Sequence, residues 1–331
     1  MRVLIVGGTG NISTSIVRLL LEKGHEVVCF NRGERGLLPD GVRLIQGDRN
    51  DRDEFEEAMQ EEDFDAAIDM ICFNADDAAS SVRAFNGVKH FIQCSTVCTY
   101  GVDYDWLPVT EDHPLRPTTD YGRNKLAADE VYLKACQDEG FPATIVKPST
   151  TYGTQMGVGR QIARGFEWLD RIRKGKPILI CGDGKAVHQF LHVDDAAMGF
   201  VGLLGKEPTI GKTYNLVHQG FINWENHHRT VMKILGNEVE LVGIPLKDLL
   251  ASGVPETTTC ETIFAHNTIY SAEKLFRDVP EFQPSISLED GLRQVIEAMY
   301  ADGRIPDSDQ IIWEDPLIEA QRAVGKLQLE F

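Results

Sequence analysis

The sequence predicts an α/β protein: a doubly wound parallel sheet followed by a smaller α/β C-terminal domain. Three observations predict it. Short apolar runs alternate with amphipathic segments over the first 150 residues, a glycine-rich turn follows the first run, and after about residue 150 the alternation gives way to scattered glycines and prolines.

The strand-like runs are "RVLIV" (2 to 6), "EVVCF" (26 to 30), "VRLIQ" (42 to 46), "AAIDMI" (66 to 71), "KHFIQC" (89 to 94) and "ATIVKP" (143 to 148). Between the first two, Ile12, Ile16, Leu19 and Leu20 share one helical face, and Gly24 after Lys23 closes the helix. The acidic "DRDEFEEAMQEE" and then "ADDAASSVRAF" fill the next intervals. "FLHV" (190 to 193) and "DDAAMGFVGLL" are expected to return to the first domain. The division is therefore 1–150 for a dinucleotide-binding domain with returning segments near 187–217, and 151–331 for a substrate-binding cap and C-terminal helices.

Composition narrows the function. Hydrophobic residues at 42% and charged residues at 25% are ordinary for a soluble globular chain of 331 residues. No run of about 18 apolar residues occurs, and the chain opens directly on a strand, so a cytoplasmic protein with no membrane partner is expected. A formal charge of -18 disfavours attraction to nucleic acid or anionic membranes. The seven cysteines, Cys29, Cys72, Cys94, Cys98, Cys136, Cys181 and Cys260, show no paired metal spacing and read as free thiols, with no metal site expected.

Directly after the first strand, "GGTGNIS" places Gly7, Gly8 and Gly10 where a tight turn brings backbone close to a pyrophosphate at a helix N-terminus. Gly7, Gly8, Thr9, Gly10, Asn11 and Ile12 are the candidate cofactor contacts of this loop. Ser13 stands where a third glycine is usual. The second strand ends in Asn31 and Arg32, with no carboxylate for an NAD ribose and a guanidinium suited to a 2′-phosphate, which favours NADP within an NAD(P) site.

"YGRNK" puts Tyr121 and Lys125 on one helix face, but "YSAEK", Tyr270 to Lys274, has the same spacing. Order along the chain separates them. The glycine loop, "GD" (Gly47, Asp48), "STVCTYG", "YGRNK", "KPSTTYG" (147 to 153) and "HQFLHVDDAA" (188 to 197) occur in the order seen in extended short-chain dehydrogenase/reductases. Over most of its length the chain resembles the NAD-dependent epimerase/dehydratase branch of that family.

The resemblance implies a Rossmann-type domain with Thr96, Tyr121 and Lys125 as the catalytic residues. It also implies Asp48 at the adenine, with Arg49 beside it and Pro148 as further cofactor contacts. Ser95, Thr96 and the loop after them are expected to face the cofactor crevice. A phenolate base near neutral pH needs roughly 4 kcal/mol of stabilisation, which Lys125 and the nicotinamide cation are placed to supply. Val97 and Cys98 occupy the places of the Asp-Glu pair of sugar-nucleotide 4,6-dehydratases, so an epimerase of a sugar or sugar-nucleotide is the first expectation. A net NADPH-linked reductase or dehydrogenase is the alternative, and a homodimer is implied by resemblance alone.

Other departures bear on the substrate. Thr150 and His188 stand where many UDP-sugar epimerases carry an Asn and an Arg that hold the nucleotide phosphates; Arg160, Arg164, Arg171, Arg173 and Lys174 nearby either replace those contacts or form the solvated face of a helix, and the solvated face is the first expectation. "FNRG" and "GDRND" resemble an atypical branch that includes chloroplast stem-loop RNA-binding proteins; the retained "YGRNK" and the acidic charge leave no nucleic-acid partner expected. His227 and His228, about 100° apart on a helix, are expected to be exposed. His192, Asp194 and Asp195 match a turn in which an Asp caps the next helix. Trp106 is open between lining a substrate pocket and covering the core.

Overall fold

A computed structural model of the chain describes residues 1–34, 36–162 and 165–325. Its core element is a seven-stranded sheet in which every pairing is parallel. The strands are β1 (Arg2–Val6), β2 (Glu26–Asn31), β3 (Val42–Gln46), β4 (Ala66–Asp69), β5 (His90–Cys94), β6 (Ala143–Pro148) and Thr213–Leu216. From one edge they run Thr213–Leu216, β6, β5, β4, β1, β2, β3. The order reverses beside β1, where Val6 pairs with Phe30 on one side and Asp69 on the other. That reversal opens a crevice beyond the carboxyl ends of the strands.

Continuous apolar runs form central strands because both faces are covered. On one face α1 (Ser13–Glu22) buries Ile16, Val17 and Leu20 in a cluster with Ala196, Ala197 and Phe200 of the helix Val193–Leu203. On the other, α2 (Arg52–Gln60), α3 (Ala75–Ala84) and α4 (Asp120–Glu139) cover a cluster that includes Phe55, Phe85, Phe91, Tyr132 and Phe141. The helix ends obey local rules. Asn74 caps α3 and Thr119 caps α4, each accepting a backbone N–H, and α4 stops at Gly140 with φ of 72°.

The chain divides into two compact units. The first is Met1–Thr151 with Phe190–Gln219 and Tyr270–Ser285. The second is Tyr152–Gln189, Gly220–Ile269 and the chain from Ile286 onward. In the second unit Ile178–Cys181 pairs in parallel with Leu241–Ile244, among the helices Glu167–Arg173, Trp224–Leu235, Leu288–Ala301 and Glu314–Gly325.

Several expectations fail here, most of them because of partners far away in sequence. Arg160 and Arg171 are buried, not solvated. Arg160 makes a two-pronged contact with Glu314 at 3.0 and 2.7 Å, and Arg171 reaches Asp315 at 2.6 Å and Glu314 at 3.5 Å. Arg173 and Lys174 are exposed as expected, Lys174 bridging Asp170, Asp307 and Asp309; Arg164 lies outside the described residues. His227 and His228 are 1% and 0% exposed, packed with Trp224, Trp168 and His188. An apolar environment supplied by Trp168 and Phe264 outweighs the polarity of "NWENHHR". In the first unit the cap of Val193–Leu203 is His192, whose Nδ1 accepts from Asp194 N, rather than an Asp.

Burial pushes His188 down to about 3 and His228 to about 4, and holds His227 well below the ordinary 6.5. The unfolded chain takes up these protons from about pH 6.5 downward while the native unit does not. Their contribution to stability is therefore complete above about pH 6.5 and lost as pH falls toward 4, at about 1.4 kcal/mol per pH unit for each imidazole. Thermal melts at pH 7.5 and 5.5 should show a clear fall in the transition of the second unit; equal midpoints would contradict the burial of these rings.

Candidate active site

The glycine loop after β1 is shaped by what surrounds bare backbone. Gly7 adopts φ of 87°, and a Cβ there would lie 2.6 Å from Ile71 Cγ2. At Gly8 a Cβ would lie 2.4 Å from Cys29 Sγ, and at Gly47 it would lie 2.8 Å from Phe30. Ser13, the departure from a third glycine, is buried and accepts the Gly10 N–H at 2.8 Å, closing the turn.

A cleft of about 360 Å³ opens over this loop. Gly7, Thr9, Gly10, Asn31, Arg32, Asp48 and Arg49 line it; Gly8 packs behind, Asn11 and Ile12 lead into α1, and Pro148 sits in β6 against Leu216. Asp48 is exposed and accepts from Asn50 N and Nδ2. Arg49 is turned inward, donating to Asp69 Oδ2 at 2.6 Å, Asp77 O at 2.8 Å and Ser81 Oγ at 3.0 Å, so its guanidinium braces the cleft floor. Asn31 Oδ1 accepts from Gly33 N, while its Nδ2 is buried with no partner in the protein. That orphaned donor, the positive-φ glycine and the exposed Arg32 fit the adenosine and phosphate end of a dinucleotide.

Glu34, three residues beyond the strand end, also lines the cleft and pairs with Arg32 at 3.3 Å. The expectation that no carboxylate stands there is thus corrected. Gln46 Nε2 donates to Arg32 O just past the strand end, and Glu34 joins the cleft lining two residues later.

Thr96 caps a short 3-10 turn, Val97–Tyr100, with its Oγ1 accepting from Cys98 N. Tyr121 and Lys125 lie in the first turns of α4. Gly122 lets this helix approach that turn, since a Cβ would lie 2.7 Å from Cys98 O. Lys125 is 1% exposed and donates to the carbonyl oxygens of Cys72 at 2.7 Å and Cys94 at 2.8 Å. Its Nζ lies 5.9 Å from the Tyr121 ring and 4.8 Å from that of Phe73, a cleft residue that sequence reasoning missed.

Burial pushes the Tyr121 phenol above its ordinary 10, and hydrogen bonding with Thr96 pulls the other way. Since 47% of Tyr121 is exposed, water screens much of the upward push. Ser95 does not face the crevice: its hydroxyl donates to buried Asp129 at 2.7 Å. Tyr270 is no helix partner of Lys274, because it precedes the helix Glu273–Asp278 and contacts Tyr104 Oη at 2.9 Å. Trp106, 43% exposed, does not cover the core.

Residues 3–216 match the model of the NAD dependent epimerase/dehydratase family. A 2'-dehydrokanamycin reductase of Streptomyces kanamyceticus is 32% identical over 246 residues, covering 74% of this chain and 70% of that protein. A chloroplast stem-loop binding protein of 41 kDa b from Arabidopsis thaliana is 25% identical over 250 residues, 71% of this chain and 63% of that protein. Among solved structures, a UDP-glucose 4-epimerase of Thermotoga maritima with UDP-glucose superposes with a TM-score of 0.75 at 19% identity, over 91% of this chain and 99% of that one.

Gly7→Ala should cost about 1–2 kcal/mol from the left-handed backbone alone and weaken dinucleotide binding. Gly8→Ala should be partly rescued by Cys29→Ala, which removes the sulfur it meets. Melting curves and cofactor titrations check both; a Gly8→Ala variant indistinguishable from the parent would refute the close packing.

Proposed function

Because the chain belongs to the NAD dependent epimerase/dehydratase family, we propose that it moves hydride between a nicotinamide dinucleotide and a hydroxyl-bearing carbon of a small, sugar-like substrate. The observation that carries this reading is Tyr121 beside buried Lys125 and Thr96, in the same unit as the glycine-loop cleft. When bound, the dinucleotide supplies the hydride donor or acceptor.

The protein's own residues handle the proton. In the reducing direction Tyr121 gives its proton to the carbonyl oxygen as that oxygen gains charge, and in the oxidising direction it takes the hydroxyl proton back. Thr96 holds the same oxygen by hydrogen bond. Lys125, with two N–H groups on carbonyl oxygens, keeps a positive charge next to the phenol. A phenol pushed upward by burial rests in its protonated form, which suits it to donate in a reduction.

Two observations favour net reduction over epimerisation. Arg160 and Arg171 are committed to Glu314 and Asp315, and His188 is buried, so these groups offer no hold for a nucleotide diphosphate. The relative at 32% identity is a reductase. The epimerase reading stands second, supported by the family and by Val97 and Cys98 in place of a carboxylate pair. An RNA-binding role gains no support from a charge of -18.

NADP is the favoured cofactor. The exposed Arg32–Glu34 pair is worth at most about 1 kcal/mol, whereas a guanidinium meeting a 2′-phosphate gains charge-assisted bonds beside the Asn31 donor.

Tyr121→Phe should cut turnover about 10²- to 10⁴-fold with the cofactor dissociation constant nearly unchanged; intact turnover would remove Tyr121 from the role. Arg32→Ala should weaken NADP about tenfold or more and NAD little, and equal losses would refute the 2′-phosphate contact. With a panel of keto-sugars, continuous NADPH consumption marks the reductase. Interconversion of stereoisomers on a retained cofactor, without net consumption, would mark the epimerase instead.

A further inference from the structure

The residues flanking Thr96 are tied to a buried ion pair that the proton chemistry does not use. Along α4, Tyr121, Lys125 and Asp129 follow at successive four-residue steps, which sets Asp129 on the same face. Its carboxylate, 2% exposed, accepts the Ser95 hydroxyl at 2.7 Å and faces Lys147 Nζ at 3.4 Å. Lys147, buried in β6, donates to Thr99 Oγ1 at 2.8 Å and lies over the Tyr100 ring at 4.9 Å. Thr99 Oγ1 in turn donates to Thr96 O at 3.0 Å. One ion pair thus grips the residue before Thr96 and the residue three after it.

The pair is an expensive way to fill space. Burial pushes the Asp129 carboxyl up and the Lys147 ammonium down, each opposed by the other's charge, and Asp129 Oδ1 is buried with no partner. Apolar residues of similar volume would serve packing as well or better.

We propose that Asp129 and Lys147 are positioning residues, which fix the turn carrying Thr96 against the helix carrying Tyr121, so that the threonine hydroxyl and the phenol meet on one substrate oxygen. The proposal rests on the hydride-transfer reading of the site. Removing either charge leaves the other buried alone and endangers the fold, so Thr99→Val and Thr99→Ser are the deciding variants. Both leave the ion pair intact. Thr99→Val should stay folded with a lower melting temperature, because the buried Lys147 ammonium loses its hydroxyl acceptor, and should keep NADP affinity while kcat falls about ten- to a hundredfold, with KM changing less.

A second readout needs no substrate. Tyrosinate absorbance of the NADP-loaded protein, with Tyr121→Phe as the blank, reports the Tyr121 phenol. Thr99→Val should shift its titration upward as the Thr96 hydrogen bond is lost, and Thr99→Ser should restore both the titration and kcat. A folded Thr99→Val protein with parental kcat and an unmoved Tyr121 titration would overturn the positioning role. Failure of the underlying reading looks different: Tyr121→Phe itself would then retain turnover.

Discussion

The candidate site depends on one buried ammonium. Lys125 spans from α4 to the carbonyl oxygens of Cys94, the last residue of β5, and of Cys72, three residues beyond the end of the neighbouring parallel strand β4. Hydrogen bonds to a charged group are worth about 1.5–3 kcal/mol each, enough to offset part of the cost of taking the ammonium out of water. The helix is therefore seated by the sheet, and Tyr121, one turn earlier, inherits its place near Lys125 and the 3-10 turn that follows Thr96. A lysine held only by solvent would leave the phenol free to drift with the end of its helix.

The glycine-loop cleft follows a complementary rule, in which missing side chains matter more than present ones. At Gly7, Gly8 and Gly47 the space of a Cβ is already taken by Ile71, Cys29 and Phe30. The walls are thus side chains of the sheet core pressed onto bare backbone. The shape of the cleft is a property of core packing, whereas Asn31, Arg32, Glu34 and Asp48 also line it without being part of that packing.

How much of this was legible in the sequence depended on the range of the interaction. β1 and β6 match their apolar runs because burial on both faces demands such runs, β3 matches although it is a largely exposed edge strand, and the glycine loop was visible because its constraint lies within a few residues. Tyr121 could be separated from Tyr270 only by the order of motifs, since spacing alone was identical. What stayed hidden was tertiary. His227 and His228 look like surface residues until Trp168 and Phe264 close over their helix, and Arg160 looks free until Glu314 arrives from 154 residues away. Ser95 belongs to the motif beside Thr96 yet turns inward, because the carboxylate it serves is one helical turn beyond the lysine that the motif advertises.

The three buried imidazoles of the second unit also bear on how a rate measured against pH is to be read. Tyr121, the candidate proton-handling group, sits in the first unit and is pushed toward alkaline values, whereas His188, His227 and His228 resist protonation by being enclosed. An acid limb in such a curve would then include loss of the second unit's fold around its histidines. The Tyr121 phenol of the first unit, pushed the other way by burial, would add its ionisation on the alkaline side.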